Sequence, residues 1–220
     1  MIKNFDFDAI ISSIPFLWKG LQVSFYLTFL ALVGGIVFGT LLALMRISNF
    51  KFLKYFSMTY VNFLRSMPLI LILFWFFFLI PLIIGRPIGG FYSAVIAFTM
   101  FEAAYYSEII RGGLLSVSSN QVSAARATGL SYSQSMIYIV LPQAFRNMVP
   151  ILLTQAVVLF QDTSLVYVVS LRDFMTASTI VAQSQSRLVE LYLFAALVYF
   201  LICFAFSFMI KRMQNKKITT

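Results

Sequence analysis

The sequence predicts an all-α integral membrane protein that crosses the bilayer five times, on three observations. Of its 220 residues, 61% are hydrophobic and 10% charged, and the mean hydropathy is +0.93. A soluble domain carries about 25% charged and 45–50% apolar residues. The apolar residues also come in long continuous runs rather than in alternation, which in a bilayer means helices. Five such runs reach the roughly 20 residues that a hydrocarbon core of about 30 Å requires.

The first span covers residues 21–45, within a stretch from Gly20 to Met45 that carries no charge. Inside it Ala31, Gly35 and Gly39 recur every four residues, a small-residue spacing that lets helix backbones approach closely. The second, 55–84, contains Arg65; the third, 89–110, contains Glu102 and Glu108. A loop over 112–142 leads to the fourth, 146–171, which Asp162 interrupts, and the fifth, 191–210, is charge-free.

Loop charges orient the bundle. Arg46, Lys51 and Lys54 lie between spans one and two, and Arg111, Arg126 and Arg146 between three and four. Lys211, Arg212, Lys216 and Lys217 form the tail. On the other side Lys3, Lys19, Arg86, Arg172 and Arg187 are diluted by Asp6, Asp8, Asp173 and Glu190. Cytoplasmic loops collect lysine and arginine, so the N-terminus is expected outside and the C-terminus in the cytoplasm. The same asymmetry accounts for the net charge of +9 without nucleic acid. No cleavable signal peptide is expected, because Asp6 and Asp8 precede an apolar run too long for one.

Several chemistries are excluded. The chain has no histidine, which removes Ser-His-Asp and Cys-His catalysis and His-ligated metal. Its single cysteine, Cys203, lies inside an apolar segment and reads as packing. No G-x-x-x-x-G-K-[ST] loop is present to cradle ATP phosphates. The chain is therefore not expected to be an enzyme or to hold a cofactor or metal.

Ionisable residues deep in a bilayer normally face a protein interior or a wet cavity. Taking about 1.5 Å per residue, Arg65 lies roughly 16 Å past Lys54, Glu102 roughly 14 Å before Arg111, and Gln155 roughly 12 Å past Asn147. The three come out near one depth, with Asp162 on the Gln155 stripe about 10 Å further out. An arginine fork suits a carboxylate, and a glutamate suits an ammonium. The plainer reading pairs Arg65 with Glu102 simply to hold helices together. Pro68, close behind Arg65 and Ser66, favours a cavity, since proline frees backbone groups that need partners. Glu108 and Arg111 are expected to pair structurally near the cytoplasmic end, and Tyr105 and Tyr106 to pack.

Residues 123–142 read SAARATGLSYSQSMIYIVLP. Two alanines, three residues, Gly129, nine residues, Ile139, one residue, then Leu141-Pro142 resembles the EAA loop of ABC-importer permeases. Ser123 departs from the pattern, which has glutamate there. The literal Glu102-Ala103-Ala104 lies inside span three without the glycine and proline that should follow. FLRSMPL, AYYSEIIRGGLLSV, LPQAFRNMVP and FQDTSLVY are similar to the polar amino-acid branch, above all to glutamate/aspartate permease subunits.

The resemblance implies a type I importer bundle in the bacterial inner membrane, with a cytoplasmic coupling helix. It implies partner ABC ATPase subunits that bind ATP-Mg, a second permease subunit in a homo- or heterodimer, a periplasmic solute-binding protein, and membrane lipid around the bundle. Ser123, Ala124, Ala125, Gly129, Ile139, Leu141 and Pro142 would form the ATPase-coupling loop, its small residues allowing close docking and Leu141-Pro142 seating the start of span four. Arg65, Ser66, Glu102, Gln155, Gln161, Asp162, Thr163 and Ser164 would form the substrate site. Glutamate and aspartate are the expected cargo. Glutamine or basic amino acids suit the acids Glu102 and Asp162 better. An ion-coupled secondary transporter would show internal repeats with matching broken helices, and none is found. An intramembrane aspartyl protease would need a second acid facing Asp162.

Overall fold

A computed structural model describes residues 6–218, so Lys3 lies outside the described residues. Among those described, every regular element is helical: α1 (Phe7–Ile47), α2 (Lys51–Arg65), α3 (Leu69–Ile84), α4 (Gly90–Leu115), α5 (Ser119–Ala127), α6 (Tyr132–Val169), α7 (Phe174–Ser184) and α8 (Leu188–Ile218).

Helix α1 begins far ahead of the residue 21 expected for the first span. The Asp6 carboxylate caps it, accepting from the N–H groups of Asp8 and Ala9 at 3.0 and 3.2 Å. Its 41 residues are about 60 Å long, twice a hydrocarbon core. The extension is held by packing: Ile10, Leu17 and Leu21 are buried with Phe174, Ala177 and Leu191 of α7 and α8.

The second expected span, 55–84, is broken rather than continuous, because α2 and α3 meet at 105°. Pro68 has no N–H to continue the ladder, and its ring pushes the preceding residue out of the helical region. Its backbone is extended (φ −62°, ψ 135°), and α3 starts directly after it. Two other prolines act more gently. Trp75–Leu79 and Met136–Val140 are π-turns, followed closely by Pro81 and Pro142 respectively. A proline cannot donate to the carbonyl four residues back, and a wider turn absorbs the mismatch. Pro142, expected at the start of span four, therefore sits inside a helix already running from Tyr132.

Among the described residues three helices are long and apolar enough to cross a membrane, namely α1, α6 and the Leu188–Gln214 part of α8. The bent pair α2–α3 makes a fourth if it counts as one span. Helix α4 falls short on composition, and its position explains why. It is the helix most enclosed by protein, with Ala94, Ala97, Phe98, Ala103, Ala104 and Tyr106 fully buried. A helix packed on several sides has little lipid to satisfy, so Glu102 and Ser107 are tolerated within it.

Helices α1 and α4 run parallel. Tyr26 stacks on Phe91 near one end, Gly35 abuts Glu102 and Tyr106 in the middle, and Arg46 pairs with Glu108 at the other end. The predicted small-residue stripe mediates this: a Cβ at Gly35 would lie 2.9 Å from Glu102 Cβ, and one at Gly39 would lie 2.8 Å from Tyr106 Cβ. Helix α6 runs antiparallel to α4, with Gln155 against Glu102 and Asn147 against Ser116. Outward faces remain apolar, as at Leu193, Phe200 and Phe204 of α8, which suits hydrocarbon rather than water.

Candidate functional site

The residues at mid-bundle come together in two groups. In the first, Glu102 of α4 is fully buried. The Gln155 side-chain amide of α6 donates to both its oxygens, at 3.2 and 3.3 Å. Gln155 is half-buried, so the pair bridges the sealed α1–α4 contact and more open space beside α6. The sequence placed these two at one depth, and the helices do bring them into contact.

The second group is Arg65 and Tyr105. Arg65 ends α2, exposed, with its guanidinium 5.1 Å from the Tyr105 ring centroid. A guanidinium over a tyrosine face is attracted by the ring quadrupole. Among the described residues no ion pair joins Arg65 to Glu102. The Arg65 guanidinium is exposed, and its described contact is the Tyr105 ring. Tyr105, read from sequence as packing, is the platform that holds it. Ser66, exposed at the α2–α3 break, donates to the Asn62 carbonyl at 2.7 Å.

Further out on α6 the helix tightens to a 3-10 turn over Thr163–Val169. Thr163 is buried and donates to the Phe160 carbonyl at 2.7 Å. Asp162 and Ser164 are half-buried, and Gln161 is exposed. These four follow Gln155 on α6 but do not share one face, since consecutive helical residues turn by about 100°. None contacts Arg65 in an ion pair or hydrogen bond among the described residues.

At the loop end of the bundle Glu108 does pair with Arg111, at 2.7 Å, as expected. It also pairs with Arg46 of α1, which sequence spacing did not indicate. The loop itself is built around α5, which carries Ser123, Ala124 and Ala125; the first two are exposed and Ala125 is buried. Gly129 follows with φ of +92° and nothing within 4 Å of a Cβ placed there. Its glycine is required by the left-handed backbone, and within this chain it is not a point of close approach. Ser131 and Gln134 then form a capping box that starts α6. Ile139 and Leu141 are half-buried, and Pro142 is exposed.

Side-chain bonds fasten this loop to the bundle. Asn147 of α6 donates to Ser116 Oγ at 2.8 Å, and Gln143 donates to Gln121 Oε1 and to the Ile139 carbonyl. None of these residues was singled out from sequence. Their one signal was that they fall inside or beside polar stretches flanking the loop.

Comparison with known proteins gives a consistent picture. A family profile described as binding-protein-dependent transport system inner membrane component matches residues 35–219. The chain is 46% identical over 220 residues to the glutamate/aspartate import permease protein GltK of Escherichia coli O157:H7, covering 97% of this chain and 98% of the relative. It is 37% identical over 207 residues to the probable glutamine ABC transporter permease protein GlnP of Bacillus subtilis, covering 93% and 94%. A crystal structure of an amino acid ABC transporter with histidines matches with a TM-score of 0.91 at 29% identity, over 97% of this chain and 99% of that one. The inward-facing MetNI methionine ABC transporter shares the fold, with a TM-score of 0.67 at 21% identity over 90% and 96%.

Proposed function

Since the chain belongs to the family of inner membrane components of binding-protein-dependent transport systems, and is a permease subunit of an ABC amino acid importer, we propose that it carries glutamate and aspartate inward. The observation that carries this reading is the 46% identity to a glutamate/aspartate permease over almost the whole of both chains. The unpaired fork of Arg65 supports it, because a guanidinium recognises a carboxylate through two parallel hydrogen bonds.

In this reading the chain crosses the inner membrane five times, with the broken α2–α3 pair as the second crossing and α4 as the third. Helix α4 lies alongside α1 from Phe91 to Glu108, so it passes through the same slab of membrane. The N-terminus faces outward, and the arginine- and lysine-rich end lies in the cytoplasm. Helix α5 docks on an ABC ATPase subunit that binds ATP-Mg, and a solute-binding protein delivers cargo from outside. A second permease subunit closes the cavity into which Arg65, Ser66, Gln155 and Asp162 face. Glu102 meets the substrate ammonium through the Gln155 side, and no ATP is hydrolysed by this chain.

Glu102 and Asp162 favour a second reading, in which glutamine is the cargo. Competition in proteoliposomes holding the complete transporter separates the two. Labelled glutamate uptake is expected to be displaced by excess aspartate and little affected by glutamine or arginine. Displacement by arginine ahead of aspartate would overturn the acidic reading, and displacement by glutamine alone would establish the second.

A further inference from the structure

Tyr106 of α4 carries a hydroxyl that the packing does not use. The residue is fully buried, and its hydroxyl has no hydrogen-bond partner among the described residues. Its neighbours Ala43, Ile110, Met148 and Leu152 offer it no side-chain acceptor. A buried polar group left unbonded carries a free-energy cost that a phenylalanine in the same space would not.

The acceptor placed to meet it is Glu102. The two residues are four apart on α4 and so share a face, and a helical tyrosine leans toward the N-terminal end of its helix. A Cβ at Gly35 of α1 would lie 2.9 Å from Glu102 Cβ and 3.0 Å from Tyr106 Cε2, the ring atom next to the one bearing the hydroxyl. Glu102 is also the charged group whose field reaches that hydroxyl. In this structure the carboxylate instead accepts from Gln155 of α6, at 3.2 and 3.3 Å. Those lengths are at the long end of the range for such bonds.

The two donors differ in what carries them. Tyr106 rides on the same helix as Glu102, so their spacing survives movement between helices. Gln155 rides on α6, which follows the α5 loop proposed to dock on the ATPase. A shift of α6 against α4 therefore stretches the Gln155 bond and leaves the Tyr106 position unchanged. Stripping a buried carboxyl group of its donor opposes such a shift. A second donor on α4 offsets that cost.

We infer that Tyr106 is a positioning residue of the transport cycle. Its hydroxyl takes one Glu102 oxygen when α6 moves, which frees the Gln155 amide and leaves the other oxygen for the cargo ammonium. This rests on the reading that cargo passes between Glu102 and Gln155.

The first test needs no cargo. Melting of the complete transporter is compared for wild type, Tyr106→Phe, Gln155→Leu and the double variant. Tyr106→Phe loses an oxygen that is unbonded at rest, so its Tm should equal or exceed that of wild type. Gln155→Leu should lower Tm more in the Tyr106→Phe background than alone, because the hydroxyl is no longer there to take up the orphaned carboxyl group. The second test measures uptake in proteoliposomes with the ATPase subunits, the binding protein and whichever amino acid the wild type carries. Tyr106→Phe should lower kcat about fivefold or more, the worth of one hydrogen bond, while KM stays within about twofold. Any of three results overturns the inference. A lower Tm for Tyr106→Phe alone means that the hydroxyl is already bonded at rest. Additive losses in the double variant mean that it does not reach Glu102. Unchanged kcat means that the exchange of donors has no part in transport. Failure of the melting cycle leaves the acidic-cargo reading standing, and a different cargo leaves the melting cycle standing.

Discussion

Glu102 is a carboxylate with no exposure to solvent, and the Gln155 amide is the side-chain donor that holds it. Replacing Gln155 by leucine leaves a buried acceptor unsatisfied, at a cost of about 1–3 kcal/mol. The apparent Tm of the purified complex should fall by several degrees. Glu102→Gln keeps the shape, and an amide can still bond to Gln155, so its Tm should change little. In the double variant Glu102→Gln, Gln155→Leu the loss should be less than the sum of the two, because the orphaned group is then an amide rather than a carboxyl. Transport separates structure from recognition. If Glu102 meets the substrate ammonium, Glu102→Gln loses uptake while keeping its Tm. Normal uptake by that variant would reduce the pair to a bond between α4 and α6. Arg65 was legible in the sequence as a cation out of place. Its Tyr105 platform was not, because a tyrosine in an apolar helix looks the same whether it packs or supports a charge.

At the scale of the helices, the loop between α4 and α6 is joined to the bundle by Asn147–Ser116 and Gln143–Gln121. If α5 docks on the ATPase, these bonds lie on the route from that dock to α6 and Gln155. Asn147→Leu should therefore lower the stimulation of ATP hydrolysis by loaded binding protein, about threefold or more, since a lost bond of about 1 kcal/mol acts on the coupled equilibrium. Assembly with the ATPase should be unaffected. Reduced assembly with normal stimulation would make the bond merely a brace. Gly129→Ala is a distinct case: open space surrounds the position, so only the left-handed backbone is penalised, by about 1 kcal/mol. The spacing of this loop was readable in the sequence, and two of its positions answer local demands: Ala125 is buried and Gly129 takes a left-handed backbone. The 105° break and the two π-turns were only half readable. Prolines announce that a ladder is interrupted, but the resulting angle depends on what the flanking helices pack against. Arg46 meeting Glu108 left no trace in the sequence, since it depends on α1 and α4 running side by side.

For the whole molecule, α1 is the spine on which the other parts assemble. Close to its middle Ser24 Oγ accepts from the Phe174 N–H of α7 at 3.1 Å, and near its end Arg46 meets Glu108 of α4. Between them the helix lies so close to α4 that side chains are excluded. At Gly39 a Cβ would be 2.8 Å from Tyr106 Cβ, 3.0 Å from the Ala103 carbonyl oxygen and 3.0 Å from the Ser107 nitrogen. Two of those three atoms are backbone, so no rotamer change relieves the clash, and the helices must separate along their length. Overpacking of this kind typically costs about 1–3 kcal/mol, and more where backbone must move. Separation would also strand Glu102, Tyr106 and Ser107, all buried in that contact. Gly39→Leu should therefore abolish monodisperse permease in detergent extracts, read by size-exclusion of a fluorescently tagged chain. Gly112→Leu is the control, because nothing lies within 4 Å of its Cβ position although it is also a helical glycine of the bundle. It should behave as wild type. Equal loss in both variants would mean that leucine is harmful at any glycine here, and the close approach of α1 to α4 would no longer explain why the fold holds.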